Sequence, residues 1–173
     1  MKKVLLLMVS ALMISSVAMA TPHFGLYSDC SGTSCVLAGG FTTTNALVEK
    51  FAVGTTGCRL KVDMSLAAVG SSIFAFTTPF VPIGNISNDL SLGYGLCIDG
   101  TVCLGTLVMS FGVGNSTVSV TKADGFPYII YTDCAFGEYE GHGGTAYVGN
   151  AGDCQEPNPT QPSTWGQVKA LYR

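Results

Sequence analysis

Charge is what this chain has least of. Asp, Glu, Lys and Arg make up 11% of its 173 residues, against about 25% in ordinary globular proteins. With 8 Lys and Arg against 11 Asp and Glu, the formal charge is −3. A nucleic-acid binder would show a basic stripe, and none is present. No apolar run of membrane-spanning length follows the N-terminal stretch, so the body of the chain predicts no transmembrane helix. There is no Cys-x-x-Cys, and His23 and His142 are the two histidines, which leaves too few ligands at zinc spacings. A Gly-x-Ser-x-Gly elbow, a phosphate loop and a dinucleotide fingerprint are all missing. No cofactor is implied.

What is present starts with a targeting pattern. Lys2 and Lys3 precede an apolar run from Val4 to Met13, and Ala18-Met19-Ala20 has the small-x-small form of a cleavage site. Residues 1–20 therefore read as a signal peptide. Its removal would take the formal charge from −3 to −5. The expected location is periplasmic, cell-surface or extracellular. All seven cysteines follow this segment: Cys30, Cys35, Cys58, Cys97, Cys103, Cys134 and Cys154. In an oxidising compartment they are disulfide candidates, with at most three internal bridges and one thiol left over.

The remaining length suits one domain, residues 21–154, with its own core. Residues 90–111 read LSLGYGLCIDGTVCLGTLVMSF, two strand patterns meeting at Asp99-Gly100. Asp-Gly is a favoured pair for a two-residue hairpin turn. That turn would put Leu90, Leu92, Tyr94, Leu96 and Ile98 on one apolar face with Cys103, Gly105, Leu107, Met109 and Phe111. It also argues against a Cys97–Cys103 bridge.

Other strands follow from two-residue alternation. His23 to Asp29 makes a first short strand, and Ala46 to Val53 another, ended by a turn at Gly54 to Gly57. Cys58, Leu60, Val62 and Met64 would face inward, with Arg59, Lys61 and Asp63 outward. Ser72 to Thr77 is aromatic-rich. Pro79 to Asp89 reads as a loop, because Pro79 and Pro82 exclude an interior strand. Val118 to Lys122, Tyr128 to Tyr131 and Thr145 to Gly149 complete the set, with a glycine-dense loop at 137–144. Cys30 and Cys35 can bridge locally or reach different strands. A Cys134–Cys154 bridge across the glycine-dense loop is the preferred single pairing.

From Gln155 to Ser163, Pro157, Pro159 and Pro162 alternate with polar residues, an extended linker. Residues 164–173 form a short tail, helical or disordered. Ser163 or Thr164 can cap it, and Trp165, Val168, Leu171 and Tyr172 would line one side at helical spacing. Ten residues are too few for a stable free helix, so the tail packs on its own domain or binds a partner.

The runs GLYSDCSGTSC, LGYGLC, YTDC, GGTAYVGNAGDC and TWGQVKALYR together resemble a loose group of small exported bacterial β-sandwich proteins. The terminal Thr-Trp-Gly-x-x-Lys-x-Leu-Tyr-Arg run is the most distinctive. The resemblance covers most of the chain after residue 20 and implies export and an all-β fold. It implies no activity and no functional residue. Cys58 and Cys103 are additions to its pattern.

The candidate chemistry is Glu138, Glu140 and His142, with Asp133 nearby. Alternate residues of an extended segment point the same way, so two carboxylates and an imidazole can meet, as acid–base work or glycoside cleavage requires. A solvated glycine-rich loop is the ordinary use of the same residues. Asp29, Asp89, Asp99, Asp124, Asp133 and Asp153 all fall at turns. They lack the Asp-x-Asp-x-Asp spacing of a calcium loop, and turn formation accounts for them. Asn85-Ile86-Ser87 and Asn115-Ser116-Thr117 match glycosylation sequons but serve equally as turns. His23 is expected to be exposed.

The resulting expectation is an all-β, antiparallel β-sandwich of about eight to ten strands. It would be immunoglobulin-like or jelly-roll, tied by disulfides, with a short C-terminal helical tail. The expected function is non-enzymatic: a surface, envelope or appendage component, or an extracellular module binding a polymer or protein. Self-assembly through the tail or the odd cysteine is an open route. The alternative is a small secreted carbohydrate-acting hydrolase using Glu138 and Glu140.

Overall fold

The computed structural model describes residues 21–149, which hold ten strands and no helix. These are β1 (His23–Tyr27), β2 (Val36–Leu37), β3 (Thr43–Asp63), β4 (Ser72–Thr77), β5 (Val81–Asn85), β6 (Asp89–Ser110), β7 (Ser116–Thr121), β8 (Ile129–Asp133), β9 (Glu138–Gly143) and β10 (Thr145–Val148). The expected signal peptide, Cys154, the proline-rich linker and the tail with Trp165, Val168, Leu171 and Tyr172 lie outside the described residues.

Two long strands carry the rest. β3 and β6 pair antiparallel from Thr43↔Met109 to Leu60↔Leu90. Laid straight, 22 residues would run about 70 Å, too long for a domain whose radius of gyration is about 14 Å. The ribbon must therefore fold over, and the edge strands locate the fold. Thr77 of β4 lies opposite Thr106, and Val81 of β5 lies opposite Gly93. Residues 78–80 can bridge about 14 Å, whereas a straight β6 would hold Gly93 and Thr106 about 43 Å apart. The bend lies between them. There β3 shifts register between Glu49 and Ala52, Ala52 and Thr55, and Thr55 and Gly57. Phe51 (φ 57°) and Gly54 (φ 60°) take left-handed conformations in β3, as do Gly95 (φ 74°) and Gly100 (φ 85°) in β6. For a bulky residue such as Phe51 that conformation is strained.

This corrects the hairpin expected at Asp99-Gly100. β6 runs through that pair as one strand, with Thr55 opposite Ile98 and Ala52 opposite Gly100. Leu90, Leu92 and Tyr94 face the core before the bend, and Leu107 and Met109 after it. A two-residue turn and an irregular bend both reverse the inward parity, so the two give the same side-chain pattern. Leu96, expected on the apolar inner face, is exposed. The turn expected at Gly54 to Gly57 is likewise part of the bend in β3.

Folding the ribbon over makes the two layers of a sandwich. One half pairs β4, β6, β3 and β1; the other pairs β5, β6, β3, β8 and β9. β1 also runs parallel to β9, with His23 opposite His142, and so links the layers. β7 pairs with the end of β3 and continues to β10 and β2. Between the layers Phe24, Leu26, Leu47, Leu60, Leu90 and Met109 are removed from water, each contributing on the order of 2 kcal/mol. The alternation expected at Cys58, Leu60 and Val62 holds, as does the strand at Ser72 to Thr77. Two segments expected as loops are strands. Val81–Asn85 pairs along an outer edge of β6, where Pro82 is tolerated, and the glycine-dense segment forms β9. His23 is buried, not exposed, because β1 is paired on both sides.

Two disulfides tie the bend to its neighbours. Cys30 joins Cys103 and Cys97 joins Cys134; Cys35 is also disulfide-bonded. The preferred Cys134–Cys154 bridge and a local Cys30–Cys35 bridge are therefore wrong. With β6 passing through the bend, its two cysteines reach different elements: Cys97 the end of β8, Cys103 the segment after β1. Among the described residues Cys58 is the free thiol, and it is buried.

Beside Cys58 sits a buried acid. The Tyr94 hydroxyl donates to Glu49 Oε2 at 2.8 Å. Glu49 is fully buried, and desolvation pushes its carboxyl up to about 7 from an ordinary 4.5. Desolvation raises Cys58 and Tyr94 as well.

Two expectations follow. The neutral Glu49 carboxyl stabilises the fold fully below pH 4.5, and that contribution disappears as pH rises through about 7; the loss is about 3 kcal/mol. Urea unfolding at pH 5 and pH 8 should show Glu49→Gln closing this gap relative to wild type. An identical pH dependence in both proteins would contradict the assignment. Non-reducing peptide mapping should recover Cys30 linked to Cys103 and Cys97 linked to Cys134, with Cys58 alkylated only after denaturation.

Candidate functional site: a glycine-floored trough

The outer face of the layer β5–β6–β3–β8–β9 is concave. Pairing sets its rows. Ile83, Ser91, Arg59, Ile130 and Glu140 stand in one line across the five strands. Val81, Gly93, Gly57, Thr132 and Glu138 form the next. The residues between, Leu92 and Cys58, face the core, so these rows face solvent. The centre of the second row is two glycines. Without side chains at Gly57 and Gly93 the sheet has a depressed floor. A Cβ on Gly57 would come within 2.6 Å of the Leu92 carbonyl oxygen, so close backbone packing keeps the floor bare there, whereas Gly93 has open space above it.

Apolar walls rise on either side, from Ile83 and Leu96 near β6 and from Phe126 and Phe136 near β8, enclosing about 690 Å³. Ile83 is 69% exposed, Leu96 60% and Phe136 81%. Phe136 is held out by the β8–β9 turn. Asp133 Oδ1 accepts from the backbone N–H of Ala135 (2.9 Å) and Gly137 (2.8 Å), and Phe136 itself sits at φ 62°. The Cys97–Cys134 bridge lines the trough beside it.

Arg59 is the cation of this surface, and it is already engaged. Its guanidinium grips the Asp89 carboxylate with two of its nitrogens, Nε to Oδ1 at 2.7 Å and Nη2 to Oδ2, and lies 3.8 Å from the centroid of the Phe126 ring. The hydrogen bond from Arg59 holds the Asp89 carboxyl below its usual range. The ion pair thus fixes the Phe126 wall, and the same guanidinium also feels the Glu138 carboxylate at the trough's rim.

The structure places the sequence-predicted triad on one strand. Glu138, Glu140 and His142 share the outer face of β9 by alternation, as expected, but on a paired strand instead of a loop. Glu138 lines the trough; Glu140 and His142 do not. Asp133 is committed to the turn. The other turn aspartates among the described residues are also occupied: Asp29 by Ser31, Asp89 by Arg59, Asp99 by the Gly54 N–H at 2.7 Å, and Asp124 by Lys61 at 2.6 Å. Among the described residues no group of three or more His, Cys, Asp or Glu is placed to hold a metal ion. Ile83, Leu96, Phe126, Phe136 and Arg59 were not read as site residues. The available signal was Val81 and Ile83 flanking a proline, which marks an edge strand with apolar side chains facing out.

No family model matches the chain, and no curated protein matches it in sequence. Solved structures do match in fold. A non-cellulosomal cohesin from Archaeoglobus fulgidus superposes with a TM-score of 0.53 at 10% identity, over 76% of this chain and 93% of that one. The sixth cohesin of Acetivibrio cellulolyticus scaffoldin B, solved with a Cel5 dockerin mutant, gives 0.51 at 9% identity over 74% and 97%. A type I cohesin from a cohesin–dockerin complex of Clostridium thermocellum gives 0.50 at 12% over 78% and 97%. At these identities the likeness establishes the cohesin-type β-sandwich fold.

Replacing Arg59 by Met should remove both the Asp89 fork and the ring contact, lowering stability by about 1 kcal/mol in urea unfolding. Arg59→Lys keeps the charge but not the planar fork, and should recover less than half of that loss.

Proposed function

We propose that this chain is an exported, non-enzymatic β-sandwich module that binds a protein partner in the glycine-floored trough. The observation that carries the proposal is the pairing of a bare backbone floor with exposed apolar walls at Ile83, Leu96 and Phe136. Protein interfaces draw most of their energy from a few aromatic and aliphatic anchors around a well-packed centre, and this surface offers that arrangement. The fold adds support, since cohesins of the same architecture were solved in complex with dockerins. Disulfides at Cys30–Cys103 and Cys97–Cys134 fit an oxidising, extracellular or cell-surface location, and the signal-type segment at residues 1–20 fits export. The hydrolase reading has less to stand on. Its two carboxylates share the outer face of β9, but Glu138 alone reaches the trough.

The test is competitive recovery of partners from the native envelope or culture fluid. Wild type should retain a defined partner that Ile83→Asp and Leu96→Asp lose, each change costing about 2 kcal/mol in measured affinity. If both variants keep their fold and still bind the same partner as wild type, the trough is not the binding surface.

A further inference from the structure

The fold-over of the β3–β6 ribbon brings both ends of β3 to one pole of the sandwich, and three loops meet there. They are residues 38–42, 64–71 and 111–115. Hydrogen bonds stitch them together: Phe111 N–H to the Gly40 carbonyl at 2.9 Å, Gly112 N–H to Ser71 Oγ at 3.0 Å, and Ala68 N–H to Ser116 Oγ at 2.7 Å. The packing is close enough that a Cβ on Gly112 would lie 2.2 Å from the Val69 carbonyl oxygen. The loops are thus a fixed platform, not three independent excursions.

Each loop carries a bulky apolar side chain at its tip. Phe41 is 92% exposed, Leu66 72%, Val69 100% and Val113 104%. No charged residue stands among them. Residues 36–48, 64–88 and 104–121 contain no Asp, Glu, Lys or Arg. The nearest charge along these segments is Asp63 at the end of β3, and its carboxylate accepts the Ser65 N–H at 2.8 Å. A loop that only turns the chain has no use for a fully exposed Phe, Leu or Val at its apex.

We propose that this pole is a lipid-docking platform, inserting Phe41, Leu66, Val69 and Val113 into the interface of a neutral or zwitterionic membrane. Three observations favour a bilayer over a second copy of the chain. The side chains stand on separate tips, a shape that enters a soft interface about 5–10 Å deep but mates poorly with a copy of itself. Four such side chains present on the order of 600 Å², short of the roughly 800 Å² each partner buries in a stable complex. The charge selects the lipid: residues 21–149 hold nine Asp and Glu against four Lys and Arg, none of the cations on the platform, so anionic headgroups repel the domain instead of recruiting it.

The experiment is flotation of the purified exported chain, residues 21–173, with phosphatidylcholine vesicles, compared with a Phe41→Ser, Leu66→Ser, Val69→Ser, Val113→Ser variant of the same length. Wild type should float, and the variant should float about tenfold less. Added salt should not release wild type, and phosphatidylglycerol should weaken it. Equal flotation of the two proteins overturns the proposal, as does binding that requires phosphatidylglycerol. A wild-type dimer that the variant abolishes, with no vesicle binding, also overturns it in favour of self-association. As a second measurement, Val113→Trp in a Trp165→Phe background should show blue-shifted emission on phosphatidylcholine vesicles. Unshifted emission counts against insertion.

Discussion

A ribbon of two long strands, doubled back on itself, is the constraint on which the other parts of this domain depend. Each layer of the sandwich is seeded by one half of the β3–β6 pair, and every flanking strand takes its place from that half. The bend is also the weakest part of the ladder, since register shifts remove regular backbone pairing there. Side chains replace what is lost. Asp99 takes the Gly54 N–H, Tyr94 closes on Glu49, and Thr56 Oγ1 donates to the Thr132 and Asp133 carbonyls. Cys97 and Cys103 then bond the bend to two different neighbours. Cross-links between residues 37 and 73 positions apart in sequence remove many open conformations of the unfolded chain. They are placed where the folded chain has the fewest backbone bonds.

Half-buried strands were legible because their alternation is local. Cys58-x-Leu60-x-Val62 could be read without knowing any partner. The bend could not. Leu90, Leu92 and Tyr94 lead inward on even numbers and Leu107 and Met109 on odd ones, and Asp99-Gly100 sits where a turn would supply the switch. What distinguishes a hairpin from a doubled strand is the neighbour that pairs through the switch, here β3, and that neighbour lies some fifty residues earlier. The disulfides were illegible for the same reason. β9 was hidden differently: its glycines suggest coil, yet β8 and β1 pair with it on both sides and spare it the need for intrinsic strand propensity.

The trough was the least legible feature, because it is built from missing side chains. Gly57 and Gly93 mean little alone. They make a floor only when register sets them opposite each other, with Ile83 and Leu96 to one side and Phe126 and Phe136 to the other. Glu138 was singled out from sequence for catalysis, and the structure gives it a place at that rim. The chemistry attached to it depended on Glu140 and His142 arriving at the same point, and neither lines the trough.

The scarcity of charge, diffuse in the sequence, has an address in the structure. The fold-over that makes the two layers also gathers the uncharged loops at one pole, because both ends of β3 return there. Charge collects only at the rim of that pole, where Asp63 ends β3, Lys61 pairs with Asp124, and Arg59 grips Asp89 at the start of β6. Strands run between pole and bend, so a surface seated at the pole would leave the trough opening sideways. Its mouth would then face along the plane of that surface, toward other molecules held on the same side. Docking and partner binding would use different faces of one doubled ribbon, and neither would obstruct the other.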